Sequence, residues 1–422
     1  MGIKPNRDLI EALVGFWDPA NNVFRFKDCE MTPTLEELGG FTGLGRDLRG
    51  KRPAAPRKVG VNNFLKKLCH RIPMVCLNEG WVPSEYFYNR FWDEKGFENF
   101  SGTKFVNQLS YDAWRELRIF AFMISFLGIM VFPERGGRIR IRLVAVEDHT
   151  ILPMILGDIF RALTHCQEGE DYFEGCNILL QMWFIKHLYH HPIVVNFNDD
   201  WLNYIGCHPD RAASCNLPEG VRAWRTLFGS LSADKITWNY YWFPSSRVMH
   251  MSTYRPFFIL MGFRGFQPYA PLSVIRQLGR GQKRPPIEDM RPFMWEFKGE
   301  EPPRESYAQK IWFGSRFSDL DEMVADHERG EVSLAYLEWF HNQAIPEQRT
   351  ERSIRYANDW EREIEVRVRE TRREVMQEFQ SRIDTLQEDK GILETAIDVQ
   401  QADFERETAQ WAREKQALKA QI

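Results

Sequence analysis

Two groups of ionisable side chains are spaced as chemistry would require. His187, His190 and His191 crowd the segment KHLYHHP, with Cys207 and His208 downstream. His187 and His191 lie four apart, which places two imidazoles on one helical face as in zinc-binding pairs. The acid of an HExxH helix is missing, and no CxxC pair offers a structural metal its thiolates. A histidine-rich helix end favoured by the helix dipole is therefore the plainer expectation. Glu147 and Asp148, with Asp199 and Asp200 in NFNDDWL, could bring carboxylates from separate elements around a divalent metal. That arrangement serves phosphodiester chemistry and defines an outlying alternative, a metal-dependent nucleic-acid-processing enzyme.

Other catalytic signatures are missing. The chain has no GxSxG, no GxxxxGK[ST], and no GxGxxG opening a helix. No lysine has a recognisable pyridoxal-phosphate context, and Cys176 lies in an apolar stretch that disfavours a thiolate. The expectation is a protein without catalytic residues, cofactor, metal or small-molecule substrate. Basic clusters are the more promising feature. Arg138, Arg140 and Arg142 alternate in RIRIR and would share one face of a strand, with Arg135 beside them. A second cluster, Arg276, Arg280, Lys283 and Arg284, lies in PLSVIRQLGRGQKRPP, and a third in the loop 46–58. Arginine suits phosphate through bidentate contacts, so the first two clusters are candidate nucleic-acid or partner contacts.

The elements that must carry these residues follow from composition and periodicity. Of 422 residues 43% are apolar and 14% aromatic, enough for a sizeable core. The net charge of -4 argues against a surface built throughout for nucleic acid or anionic lipid. Seven scattered cysteines and an opening without a signal-peptide pattern predict reduced thiols in an intracellular protein, nuclear or cytoplasmic. KRPAAPRK at 51–58 is a weak import signal. The apolar run 119–132 is fourteen residues, short of the roughly 20 that span a bilayer, and predicts a buried core helix rather than a membrane segment.

Helices are predicted over 8–16, 61–70, 84–92, 111–132, 151–164 and 176–189, the last nearly apolar all round and so central to the core. Thr32 is the expected cap of a further helix ended by Gly39 and Gly40. Short strands are expected near Val23–Phe26 and over 138–146, and short helices with aromatic loops over 192–285. No proline follows Pro346. Beyond it Val368 and Val375, then Ile397, Phe404, Trp411 and Leu418, recur at spacing seven, with Phe379, Ile383, Leu386 and Leu393 as a partial second row. Lys390, Gln400, Glu407 and Glu414 interrupt this heptad seam.

The stretch Val274–Pro285, VIRQLGRGQKRP, resembles the VxRQFGxxQxxP signature of the plant mobile domain, labelled "aminotransferase-like", with Leu278 where phenylalanine is usual. Three earlier segments agree in order. FKDCEMTPTLEELGGFTGL is similar to the family's early T-x-T-L-E segment through Thr32, Thr34, Leu35, Glu36, Leu38 and Leu44. GCNILLQMW resembles its GCxxLLQxW helix through Gly175, Cys176, Leu179, Leu180, Gln181 and Trp183. LSADKITWNYY resembles its D-x-V-x-W-x-P-Y segment, with Tyr240 replacing proline.

The resemblance implies an α-rich domain of transposable elements, including gag-like proteins, and of domesticated nuclear relatives. The missing pyridoxal context argues against a transaminase. Trp183, Trp238 and Gly175 are expected to be structural, and Arg276, Gln277 and Gln282 to fix a turn by hydrogen bonds to loop carbonyls. The predicted architecture is mainly α with a few short β-strands: a globular helical domain over 1–315, a helical connector over 316–345, and a charged coiled-coil helix over 346–422. The expected role is a non-enzymatic assembly scaffold of mobile-element origin that self-associates or recruits a protein through the coiled coil, with nucleic acid as a further candidate partner. A nuclear regulator of silencing or transcription is the alternative.

Overall fold

The computed structural model describes residues 6–45, 80–93, 96–97, 110–140, 149–188, 217–238, 247–252, 256–285, 289–297, 315–319 and 332–343, isolated positions between 53 and 312, and 401–402, 405–413 and 415. It divides into a unit over Met1–Trp360 and a second over Glu361–Ile422.

The first unit is helix-rich with small sheets. Helix α1 (Arg7–Val14) starts at Asn6, whose side chain accepts from the Leu9 N–H at 3.0 Å. Three short antiparallel strands follow in meander order, β1 (Trp17–Asp18), β2 (Val23–Arg25) and β3 (Glu30–Met31). They lead into helix α2 (Leu35–Thr42). Strand β4 (Trp81–Pro83) opens directly into α3 (Ser84–Phe87) and a π-helical turn over Tyr88–Trp92. Helix α4 (Tyr111–Phe126) likewise ends in a π-helical turn, Leu127–Val131, and β5 (Arg138–Arg140) then pairs antiparallel with β4.

The centre is built by α5 (Leu152–Glu168) and α6 (Asn177–Leu188). Leu152 through Phe160 are all buried, as an apolar sequence around the whole helical circumference requires. Helix α5 packs on α2 and on a hairpin of β7 (Phe258–Met261) and β8 (Gly265–Tyr269), while α6 packs on α1 and α2. Rings fill the space between: Trp17, Phe24 and Trp183 are each 0% exposed, with Phe24 4.9 Å from Trp17 and 5.7 Å from Trp183. Burying such side chains contributes about 1.5–3 kcal/mol each before their ordering cost. Helix α7 (Val221–Gly229) closes this core over α1, inserting Trp224 and Phe228.

Several expectations need correction. The cap of α2 is Thr34, not Thr32, because only Thr34 stands three residues before a glutamate that can return the bond. The helix runs through Gly39 and Gly40 to Thr42, burying Phe41, and ends at Gly43, whose left-handed φ of 72° suits a residue without Cβ. Within 192–285 short helices are present as expected, at Val221–Gly229 and Pro271–Leu278, but the described residues also contain three strands that were not expected, β6 (Arg247–Ser252), β7 and β8. β-Rich sequences such as FFILM and GFQPY pair as a hairpin rather than coil. Helix α4 buries Trp114, Leu117, Ala121 and Ile124, yet its outer face leaves Ile119, Phe122 and Phe126 exposed, so it is not a fully buried core helix. Among the described residues no helix is long and apolar enough to cross a membrane.

Residues 316–345 contain most of strand β9 (Ser315–Asp319), paired antiparallel with β6, and helix α8 (Leu334–His341). Tyr336 and Trp339 of α8 are buried, with Tyr336 bonded to Glu30. The helix expected over 61–70 lies outside the described residues except Leu68. Most of 346–422 lies outside them too; within it, 401–402, 405–413 and 415 are helical.

Candidate functional site

Polar groups from three of the four sequence segments meet at one buried carboxylate, and the fourth reaches it through His187. Thr34 and Glu37 cap α2 reciprocally: the Glu37 N–H donates to Thr34 Oγ1 and the Thr34 N–H to Glu37 Oε2, both at 3.1 Å. Such a box normally faces solvent, but here Glu37 is 2% exposed. Helix α6 supplies Trp183, whose indole N–H donates to Oε2 at 2.9 Å, and one turn later His187, whose Nε2 lies 3.0 Å from Oε1. The 3₁₀ segment Pro271–Leu278 supplies Gln277, whose amide nitrogen reaches both carboxylate oxygens at 3.2 Å. The same amide pairs with the backbone of Thr32, accepting its N–H and donating to its carbonyl, each at 2.9 Å. From the fourth segment the Thr237 carbonyl faces His187 Nδ1 at 2.6 Å.

The Thr237 carbonyl only accepts, so Nδ1 of His187 carries hydrogen. Thr34, Trp183 and Gln277 donate to the Glu37 carboxylate, His187 lies against it, and its burial leaves no face for an incoming molecule. The chemistry it can do is cohesion: one carboxylate joins α2, α6 and the glutamine segment.

The neighbouring carboxyl behaves differently. Glu36 accepts from the Met249 N–H at 3.3 Å and the Tyr269 hydroxyl at 3.2 Å, and burial pushes its pKa up to about 7. Glu30 is raised to about 7 as well, again chiefly by burial, although Arg25 lies 2.8 Å away and Tyr336 donates to it. A third cluster pins the β7–β8 turn to α5. Asp158 accepts from the Phe263 N–H at 2.8 Å and from the Arg264 guanidinium at 2.9 Å; Arg264 also donates to the Pro133 carbonyl at 2.7 Å. Burial raises the Asp158 pKa against the pull of Arg264.

The other residues singled out by sequence are held locally. Gln282 donates to the carbonyls of Ser273 and Lys283 and accepts from the Arg276 N–H, fixing the turn as expected. The Arg276 side chain does something else: its guanidinium lies 4.2 Å over the Trp238 ring. Arg280 is half-buried, and Lys283 and Arg284 are exposed. Ile139 is buried between Arg138 and Arg140, as strand alternation requires. Arg140 forms a fork with Glu134 at 2.6 Å through Nε and Nη2, Arg138 lies 4.8 Å over Trp81, and Arg135 pairs with Asp171. A phosphate at Arg140 would have to displace the Glu134 carboxylate. Gly175 is structural: a Cβ there would stand 3.0 Å from Ile159 Cα.

Arg142, Glu147, Asp148, His190, His191, Asp199, Asp200, Cys207 and His208 lie outside the described residues, as does KRPAAPRK apart from Pro53 and Ala54. Among the described residues no group of His, Cys, Asp or Glu could hold a metal ion. Cys176 is buried, its pKa pushed up to about 11.

The T-x-x-E spacing of Thr34 and Glu37 was a signal that the expectation of Thr32 as cap passed over, and Asp158, a lone acid in an apolar helix, was passed over too. Their partners, Gln277 and Arg264, carry no local signal because they lie 240 and 106 residues away. No curated protein and no solved structure matches the chain. Residues 1–345, which contain every member of the Glu37 cluster, match the family model described as a domain of unknown function (DUF7745), and the chain belongs to that family.

Proposed function

We propose that this protein is a non-enzymatic assembly scaffold related to the plant mobile domain and of mobile-element origin. Its globular unit is a rigid platform, and the heptad-bearing C-terminal segment joins copies of the chain. The observation that carries this reading is the Glu37 cluster. The polar residues on which the resemblance rests, Thr34, Trp183 and Gln277, all bond to Glu37 inside the core. They account for their own presence without a ligand. Trp411 supports the second half of the reading: it lies on a helix, on the heptad seam, and is 72% exposed. An indole so exposed within an apolar row is what a helical partner would cover.

The test is analytical ultracentrifugation of the full chain under reducing conditions, beside a Phe404→Glu/Trp411→Glu variant. Glutamate keeps helix propensity and removes only the apolar row. Self-association at micromolar concentration that the double substitution weakens at least about tenfold is expected. A strictly monomeric parent would refute the assembly role.

A further inference from the structure

The two rows of the C-terminal seam are unequal, and their inequality selects an orientation. By its spacing of seven, Ile383 belongs in one row with Lys390, Ile397, Phe404, Trp411 and Leu418 rather than in the partial second row. The other, offset by three, begins with Phe379, Leu386 and Leu393 and continues with Gln400, Glu407 and Glu414. The first row is thus apolar except at Lys390, while the second changes from apolar to acidic at its middle. Gly391 falls next to Lys390 on an outward position, where a missing side chain does not interrupt the seam.

A parallel pair sets each seam position against itself. It would stack Lys390 on Lys390, Glu407 on Glu407 and Glu414 on Glu414 at the interface, and it would place Asp389 beside Glu394 along the flank. An antiparallel pair sets each position of one row against the other row. In the register that places Lys390 opposite Glu407, Leu393 meets Phe404, Leu386 meets Trp411 and Phe379 meets Leu418. Each of these layers occurs twice by symmetry. Ile397 meets Gln400 and Ile383 meets Glu414, so no seam layer opposes like charges. Glutamates 405 and 407 and Arg413 are exposed on the described helix, so its charges are available to a partner.

We infer that two copies of this chain associate through an antiparallel coiled coil of residues 376–421, with Lys390 of each copy paired to Glu407 of the other. The inference rests on the self-association reading above and adds the partner, orientation and register to it. A different protein on the same seam is the competing occupant.

Sedimentation equilibrium of the full chain with Lys390→Glu, Glu407→Lys and both together tests it. Each single change turns two attractive contacts into two repulsive ones and should weaken association at least about tenfold. The double change restores opposite charges and should return affinity to within about threefold of the parent. In a parallel pair each single change merely exchanges one repulsion for another, so single variants that leave affinity unchanged overturn the inference. Weakened singles without recovery in the double variant overturn it too. A monomeric parent refutes both this inference and the self-association reading, whereas association without the rescue refutes the orientation alone.

Discussion

Glu37 and Glu36 are adjacent in sequence, and both are buried, yet their surroundings give them different work. Glu37 gathers donors from three segments, whereas Glu36 has a backbone N–H and a phenol, and burial dominates it. Its pKa of about 7 lies above the ordinary 4.5, so the folded chain holds a proton through a range in which the unfolded chain has released it. Stability contributed by that proton is complete below the unfolded value and is lost as pH rises toward the folded one. Glu30 adds to the same trend. Denaturant unfolding measured from about pH 5 to 7.5 should therefore show falling stability, and Glu36→Gln should flatten the decline by roughly 1–3 kcal/mol. A profile unchanged by the substitution would show that the carboxyl does not hold that proton. None of this was legible locally: LEEL reads as an ordinary acidic first turn, and only the fold reveals that both glutamates point inward.

At the scale of elements, the hydrophobic pattern fixed most of the helices and the long-range polar contacts fixed how they meet. Periodicity located α4, α5 and α6, because burying one stripe or a whole circumference leaves a trace every three or four residues. It did not locate β6 to β8, since short aromatic runs fit a strand or a buried helix equally well until the partner strand is known. Nor did it disclose Arg264, which ties the β7–β8 turn to α5 and to the Pro133 carbonyl. Arg264→Ala should cost about 3–5 kcal/mol in urea unfolding, because it leaves the Asp158 carboxylate buried without its cation. Arg264→Met with Asp158→Leu, which removes both charges, should recover much of that loss. If the single change cost less than about 1 kcal/mol, the pair would not be what fastens the hairpin.

For the whole molecule, the four family-like segments, spread over about 250 residues of sequence, converge on one buried point. That convergence was legible only as co-occurrence: the motifs stand in order, but nothing in their spacing says that Gln277 and Thr32 touch. The arginine alternation was legible and correct for Arg138 to Arg140, while their engagement with Trp81 and Glu134 was not, because neither partner is a sequence neighbour on the strand. The Glu37 cluster, on this reading, holds the globular unit together rather than receiving a ligand. The most direct measurement is the thermal midpoint of Glu37→Gln. The amide matches the carboxylate in shape, so packing is kept, but whichever oxygen position its NH2 takes, it confronts the Gln277 amide nitrogen, which lies 3.2 Å from both. A midpoint lowered by about 5 °C or more is expected. A variant that melts with the parent would contradict it and return Glu37 to consideration as a binding group.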